Sequence, residues 1–356
     1  MRPETPPVGS VAWPAPCFGA RGPRPLAAGV LEYSAMLRLI RLMILTFLAT
    51  VRARFKNGPL RPSWSFSFEA TVRFLRRDWD ETSAWSLPRL RAELDARPYP
   101  RDVLRRVTVR DGELGGVPAR WFVPPGPSGM TVLFFHGGSY IYGSARTTHS
   151  DALARIALAS GTTVIGVDYR LAPEHVYPAQ LEDAERAFEA LLATTSVEHV
   201  IVAGDSAGGN LALSLELARR DRGAPLPRAC VLICPWSDLT MPGRSFVENE
   251  PFDFGTREAL LRHARAFAGE LELEDPRLSP VNARLGGLTP VLVVAGEVEI
   301  PRDDILALAA ALEKANVDVT VHVAPDLPHN PPLFAAYHPE ARACVETIGA
   351  FVRRFG

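Results

Sequence analysis

Six short apolar runs, each bounded by turn residues and separated by helical patterns, constrain the fold of this chain more than any other feature. Short runs without polar alternation are typical of strands buried on both faces, which parallel sheets covered by helices require. The sequence therefore predicts an α/β architecture with a mostly parallel central sheet flanked by helices. The predicted strands are residues 131–135, 163–167, 199–203, 229–234, 291–295 and 317–323.

Other segments of the chain depart from this alternation. Residues 105–110 and 117–123 flank a turn at 111–116, which is typical of an antiparallel hairpin at a sheet edge. Residues 36–100 have helical patterns, and residues 236–288 separate two predicted strands. An insertion between two strands of a parallel sheet, such as 236–288, lies at the ends of those strands, where open α/β sheets bind ligands. We predict that 36–100 and 236–288 form a helical cap over a catalytic domain of residues 101–235 and 289–356.

The N-terminal part has two distinct compositions. Residues 1–35 contain seven prolines and no regular hydrophobic period, so we predict that they are disordered. Residues 36–51 are apolar except for two arginines and two threonines, and the charge-free part, 42–51, is about half the length of a membrane-spanning helix. We favour a helix packed on the protein. An amphipathic helix on a membrane surface, and a signal peptide if translation begins at Met36, remain alternatives.

Charge and cysteine usage exclude several classes of protein. The formal net charge is −1, which argues against a nucleic-acid partner and favours a neutral or weakly polar small molecule. The four cysteines show no paired spacing and no histidine at ligand spacing, so neither a metal site nor a disulfide framework is expected. No cofactor is expected either.

We predict a cytoplasmic protein with reduced thiols. Peripheral membrane contact through residues 36–56 and a homodimer are left open.

The segment Gly204-Asp205-Ser206-Ala207-Gly208 follows a predicted strand and opens a predicted helix. A sharp strand-to-helix turn holds a serine hydroxyl exposed beside a base, and small flanking residues avoid collisions. The first amides of the helix face developing negative charge. We predict Ser206 as the nucleophile and the Ala207 N–H as an oxyanion donor. A glycine-rich turn of this kind also occurs as simple packing, so the motif needs support from elsewhere in the chain.

That support comes from His136-Gly137-Gly138, which directly follows the predicted strand 131–135. Stabilising a tetrahedral oxyanion takes two or three N–H groups that converge on one oxygen, and glycine lets the backbone approach closely. The position, one strand-helix-strand unit before the serine, is where a hydrolase oxyanion loop belongs. We predict Gly137 and Gly138 as the other two donors.

The general base and its acid must follow the serine in the chain. His329 lies in a proline-rich loop after the last predicted strand and is the favoured base. The loop 296–304 offers four carboxylates after the strand 291–295. A carboxylate that orients an imidazole must reach it from directly after its strand, which favours Glu297 or Glu299 over the two aspartates, which are expected to cap a helix.

These motifs resemble those of the hormone-sensitive-lipase family of serine esterases, within the α/β-hydrolase fold. The resemblance rests on HGGSYIYGS at 136–144, DYRLAPEHVYPAQLEDA at 168–184, GDSAGGN at 204–210 and DPRLSP at 275–280, and it covers roughly residues 58–350. Counting back from the RDD at 302–304, it implies Glu299 as the acid, where many members have Asp. The chain also has Ser139 where many relatives have a third glycine.

The resemblance implies a function as well as a fold. It implies a serine carboxylesterase with a two-part helical cap, which hydrolyses short to medium acyl esters through an acyl-enzyme with Ser206, His329 and Glu299 as the triad. The same machinery would serve an interfacial lipase, an amidase or a lactonase. A non-catalytic receptor on this fold is disfavoured because His329 is retained. The expected partner is a small-molecule ester.

Overall fold

The computed structural model describes residues 26–97 and 99–356, and of residues 26–35 only the helical backbone. The described residues form one eight-stranded sheet with the order β1-β2-β4-β3-β5-β6-β7-β8. The strands are β1 Thr108–Leu114, β2 Val117–Val123, β3 Thr131–Phe135, β4 Thr163–Val167, β5 Val200–Asp205, β6 Ala229–Ile233, β7 Val291–Gly296 and β8 Val319–Ala324. Strands β3 to β8 are parallel, and β2 pairs antiparallel with both β1 and β4.

Helices cover the sheet and precede it. The α-helices are α1 Leu26–Asn57, α2 Phe66–Thr82, α3 Leu87–Ala96, α4 Ser150–Ser160, α5 Ala179–Leu192, α6 Ala207–Asp221, α7 Ser245–Glu248, α8 Arg257–Ala268, α9 Arg302–Lys314 and α10 Pro339–Arg353. Short 3₁₀ helices lie at Val103–Arg106, Val197–His199, Glu250–Phe252, Pro280–Asn282 and Pro331–Phe334. No helix in the described part of the chain has both the length and the apolar character needed to cross a bilayer.

The apolar runs behave as their composition requires. Every residue of the central strands β5, β6 and β7 is buried, as expected of strands covered by helices on both faces. The edge strand β8 is only partly buried. The predicted α/β fold with a mostly parallel sheet is confirmed, and the ends of the six parallel strands lie within two residues of their predicted positions.

The hairpin is placed differently from the prediction. The first strand was expected at 105–110, but residues Val103–Arg106 form a 3₁₀ helix and β1 runs over Thr108–Leu114. The turn is only the two residues Gly115 and Gly116, with φ of +57° and +76°. Two successive residues with positive φ make the two-residue turn whose twist matches a hairpin, so the strands extend further than the longer predicted turn allowed.

The structure describes only part of the N-terminal segment for which disorder is predicted. Residues 1–25 of the segment predicted as disordered lie outside the described residues. For residues 26–35 the prediction is wrong, because α1 begins at Leu26, directly after the last proline of that segment. Residues 26–35 are mostly alanine, leucine and other residues that a helix accommodates, and a proline just before a helix is compatible with its start. The division into a catalytic domain and two cap segments stays a prediction.

Candidate active site

Ser206 lies at the sharp turn between β5 and α6, with φ +54° and ψ −119°. This strained backbone is held from both sides: the Ser206 N–H donates to the carbonyl of Ile233 at 2.8 Å, and its carbonyl accepts from the Trp236 N–H at 2.9 Å. A Cβ at Gly204 would overlap the carbonyl of Gly208, so the turn requires the small residues of the motif. The strained serine that the motif predicts is therefore present, and it is partly exposed.

His329 and Glu299 meet at the carboxyl end of the sheet. The imidazole Nδ1 lies 2.6 Å from Oε2 of Glu299, and the other carboxylate oxygen accepts the Gly296 N–H at 2.6 Å. Glu299 is fully buried. Burial alone lowers the pKa of His329, but the hydrogen bond to Glu299, its charge and further carboxylates nearby raise that pKa above its ordinary value. The pair is thus arranged to stabilise a protonated imidazole.

The neighbouring carboxylate, Glu297, has a different partner. Its Oε2 accepts the backbone N–H of Asp326 at 2.7 Å, which ties the loop after β7 to the loop before His329. Asp303 lies in the first turn of α9 and accepts the N–H of Ser245 at 3.0 Å. Of the two glutamates left open by the sequence, the structure therefore brings only Glu299 to the imidazole.

Ser206 and His329 line one cavity of about 1090 Å³. The hydrogen bonds of the described residues include none from the Ser206 hydroxyl to the imidazole, and such bonds are often long before a substrate is bound. Apolar side chains make most of the wall. They come from α1, α2 and the segment between β6 and β7, and include Met43, Ile44, Phe47, Phe66, Phe74, Phe246, Phe254 and Leu260. Both predicted cap segments thus contribute to the cavity over the serine.

One of the three predicted oxyanion donors is wrong. The Gly137 N–H donates to Oδ1 of Asp205 at 2.9 Å and is therefore already occupied. Gly138 and Ser139 line the cavity with Ser206, and neither of their N–H groups donates a hydrogen bond to a described residue. The Ala207 N–H belongs to the first turn of α6, where the helix offers it no acceptor. The free amides near the serine are those of residues 138, 139 and 207.

Asp205 links three loops of the site. Besides the Gly137 amide, its carboxylate contacts Nε2 of His149 at 3.1 Å and the side-chain amide of Asn330. Burial raises the pKa of Asp205, but the interaction with His149 and the hydrogen bonds lower it below its ordinary value overall. The oxyanion loop, the turn at Ser206 and the loop of His329 therefore share one buried carboxylate. Sequence reasoning missed this role, because only the motif around Ser206 marks the residue.

A second buried carboxylate, Asp253, comes from the segment between β6 and β7. Its Oδ2 accepts the Ile300 N–H at 2.8 Å, and its Oδ1 accepts the His329 N–H at 3.2 Å. Burial raises the pKa of Asp253 to about 6, against the opposing charge of His329. Asp253 thus holds the backbone of both loops that carry the imidazole–carboxylate pair. No motif or spacing in the sequence indicated this residue.

One group of described residues has ligand atoms close enough together for a metal ion: Cys234, Glu299 and His329 lie within 4.8 Å of one another. Burial raises the pKa of the Cys234 thiol well above its ordinary value, so it stays protonated and is a poor ligand. The imidazole Nδ1 and the carboxylate already bind each other. The chemistry of this group fits an imidazole–carboxylate pair beside a neutral thiol better than it fits a set of metal ligands.

Comparisons with known proteins agree with this geometry. The sequence matches the alpha/beta hydrolase fold family over residues 132–332. An acetyl-hydrolase from Streptomyces hygroscopicus is 37% identical over 245 residues, which cover 67% of this chain and 81% of that protein. An esterase from Acinetobacter venetianus is 32% identical over 267 residues, which cover 74% of this chain and 87% of that protein.

Solved structures give the same result. An esterase from the bacterial hormone-sensitive lipase family matches with a TM-score of 0.70 at 33% identity, covering 89% of this chain and 98% of that one. A hormone-sensitive lipase from a metagenome library matches with a TM-score of 0.76 at 31% identity, covering 80% of this chain and 97% of that one.

The chain therefore belongs to the alpha/beta hydrolase family, since the match spans more than half of its residues and includes Ser206, Glu299 and His329. Within that family it is a serine carboxylesterase of the hormone-sensitive-lipase type. The resemblance drawn from the motifs is confirmed.

The contact between Glu299 and His329 leads to a first prediction. In Glu299→Gln we expect kcat to fall by about 10³- to 10⁴-fold, because the ring loses the group that fixes its tautomer and stabilises its charge. Loss of that charge also lowers the pKa of His329, so the acid limb of the residual kcat/KM profile moves to lower pH. The matched control is Glu297→Gln, expected to retain most activity. Equal losses in both variants would contradict the assignment.

The bonds of Asp253 lead to a second prediction. In Asp253→Asn one of the two N–H groups, from His329 or Ile300, loses its acceptor. We expect kcat to fall about 10- to 100-fold with KM within about twofold, because the imidazole shifts while the cavity keeps its shape. Asp303→Asn is the control, since it loses a similar bond to Ser245 but touches neither loop residue. A loss of melting temperature in both variants, with kcat unchanged, would make Asp253 purely structural.

Proposed function

We propose that the esterase acts through Ser206 as nucleophile, His329 as general base and Glu299 as the acid that orients it. The observation that carries this proposal is the convergence on one cavity of a strained, partly exposed serine and an imidazole whose Nδ1 binds a buried carboxylate. A base within reach of a serine, itself oriented by a third group, is the arrangement that activates a hydroxyl.

The proposed reaction has two halves. His329 takes the Ser206 proton as the oxygen attacks the ester carbonyl, and the oxyanion accepts hydrogen bonds from the amides of Gly138, Ser139 and Ala207. His329 then gives the proton to the leaving alcohol, and the acyl group stays on the serine. Water next loses a proton to the imidazole and attacks the acyl-enzyme, which releases the acid and restores the serine. The raised pKa of His329 supports the step in which the imidazole is positively charged.

The cavity supports a substrate with a sizeable apolar group. Its volume of about 1090 Å³ lies just above the range of roughly 300–1,000 Å³ that is usual for small-molecule sites. Two relatives are named acetyl-hydrolases, which leaves acetyl esters as a candidate substrate. We place the preferred acyl group in the short to medium range, above acetyl, because an acetyl group would leave most of the apolar wall unused. Amide and lactone hydrolysis use the same groups and stay alternatives.

A cytoplasmic location is part of the proposal. The three cysteines within the described residues, Cys230, Cys234 and Cys344, are buried and unpaired, as is usual for proteins of reducing compartments. A homodimer stays a prediction.

Replacement of the nucleophile tests the proposed reaction. We expect Ser206→Ala to lose about 10⁴-fold or more of its hydrolysis of p-nitrophenyl butyrate, because no other hydroxyl lies at the turn facing the base. A fluorophosphonate should add to the wild-type chain at one site, detected by intact mass and mapped to residue 206 by peptide sequencing. The variant should stay unlabelled with an unchanged melting temperature. Full activity in Ser206→Ala would refute the proposal, and a wild-type chain that resists the reagent would favour a non-catalytic receptor.

A series of p-nitrophenyl esters tests the substrate range. Each methylene that enters an apolar wall adds up to about 0.8 kcal/mol, or about a fourfold gain in kcat/KM. We therefore expect kcat/KM to rise from acetate through butyrate to hexanoate. Soluble esters below their aggregation limit keep this comparison free of surface effects. A maximum at acetate would contradict the proposed range.

A further inference from the structure

Helix α1 packs on the protein through Leu42 and two threonines, and it leaves most of its large apolar side chains exposed. Thr46 and Thr50 are 3% and 0% exposed, whereas Phe47 and Leu48 are 53% and 58% exposed. A helix in contact with water normally buries its large apolar side chains, whereas from Met36 onward only Leu42 among those of α1 is buried. We define the α1 apolar face by its large exposed side chains, which are Met36, Leu37, Ile40, Met43, Ile44, Leu45, Phe47, Leu48, Val51 and Phe55.

Ion pairs fix which side of α1 faces outward. Arg38 binds Asp78 of α2 at 2.6 Å and Glu93 of α3 at 2.8 Å. Near the other end of the helix, Arg54 contacts the buried Glu69 of α2 at 3.3 Å. These contacts lie at both ends of the packed side, so rotation of the helix to bury its apolar face would break them. The outward orientation is therefore built into the polar contacts.

The segment that carries this face is rich in basic residues, several of which pair with carboxylates of the protein. Between residues 33 and 68 the chain has six basic residues and no acidic one, although its overall net charge is −1. Arg41, Arg52 and Lys56 are exposed on α1. Arg41 contacts Glu81 of α2 at 3.5 Å, whereas Arg52 and Lys56 form no ion pair within the described residues. Apolar side chains flanked by exposed basic residues suit the interface of a bilayer with anionic headgroups. A two-fold contact between copies would instead bring basic residues of both chains together, which is unfavourable.

The α1 apolar face continues into the catalytic cavity. Met43, Ile44, Phe47 and Leu48 are exposed and also line the cavity that contains Ser206. Apolar side chains of α1 are thus exposed at the surface and also belong to the wall of the cavity that holds the nucleophile. An apolar molecule at this helix therefore lies next to the wall of the catalytic cavity.

We propose that the α1 apolar face docks on anionic lipid bilayers and that apolar esters enter the catalytic cavity from the lipid along this helix. The helix lies in the interface, with its apolar side chains among the acyl chains and its basic residues at the headgroups. Docking is independent of catalysis, whereas the entry of esters rests on the function proposed above.

Co-sedimentation of the full chain with vesicles tests the docking. The wild-type chain should bind mixed phosphatidylcholine–phosphatidylglycerol vesicles and bind phosphatidylcholine alone much more weakly. The triple variant Leu45→Gln, Val51→Gln, Phe55→Gln changes exposed residues outside the cavity lining and should lose about tenfold or more in binding. Val247→Gln is the control, since Val247 is 74% exposed but lies between β6 and β7. Equal binding by all three chains, or no binding by the wild-type chain, would overturn the proposal.

The basic residues give a second readout of docking. Replacement of Arg52 and Lys56 by glutamine should weaken binding to anionic vesicles by about fivefold per residue and flatten its salt dependence. Sedimentation velocity without lipid tests whether a second copy of the chain, rather than a bilayer, covers this face. A stable dimer that the triple variant dissociates, with no vesicle binding, would assign the face to a second copy and refute the docking.

Activity assays separate docking from catalysis. The triple variant should hydrolyse a water-soluble ester at the wild-type rate but an ester embedded in anionic vesicles about tenfold more slowly. Ser206→Ala should bind vesicles as the wild-type chain does while it hydrolyses neither substrate. An inactive wild-type chain that still binds vesicles would refute the proposed function alone. Equal rates of the triple variant and the wild-type chain on the embedded ester would refute entry along α1.

Discussion

The geometry of the site depends on the buried carboxylate of Asp205. It ends β5, and it accepts the Gly137 amide at 2.9 Å while its other oxygen contacts His149 and Asn330. A charged carboxylate away from water is stable only when hydrogen-bond donors surround it. Loss of any one of these three contacts would therefore destabilise the carboxylate and weaken the other two. Because the donors come from separate loops, one residue beside the nucleophile sets the distance from the oxyanion loop to the loop of the base.

The segment between β6 and β7 braces the other half of the site. Asp253 accepts N–H groups of Ile300 and His329, and the Asn249 side chain donates to the carbonyl of Glu299 at 2.8 Å. These bonds go to backbone, so they set the positions of the loops independently of the side chains that do chemistry. The same segment supplies part of the cavity wall, so the wall and the support of the imidazole come from one stretch of chain.

Sequence patterns predicted those features that local chemistry determines. The apolar runs gave the parallel strands, and the strained turn followed from its glycines. The choice between Glu297 and Glu299 required either a family resemblance or coordinates, since both follow the same strand. The error at Gly137 has a different cause: whether an amide is free depends on its acceptor, Asp205, which lies 68 residues away in sequence. Asp253 was missed because a buried carboxylate that binds backbone amides leaves no spacing signal.

Helix α1 shows where hydrophobic periodicity stops being informative. Residues 42–51 carry no charge, and the favoured interpretation was a helix packed on the protein. The helix does pack on α2 and α3, yet partly through ion pairs and threonines, which a search for an apolar stripe would assign to solvent. In the docking proposed above, α1 lines a cavity on one side and meets an apolar phase on the other, which requires apolar residues around most of its circumference. On the protein-facing side Thr46 and Thr50 are buried beside Leu42, so that side is not the apolar stripe usual for a helix in water.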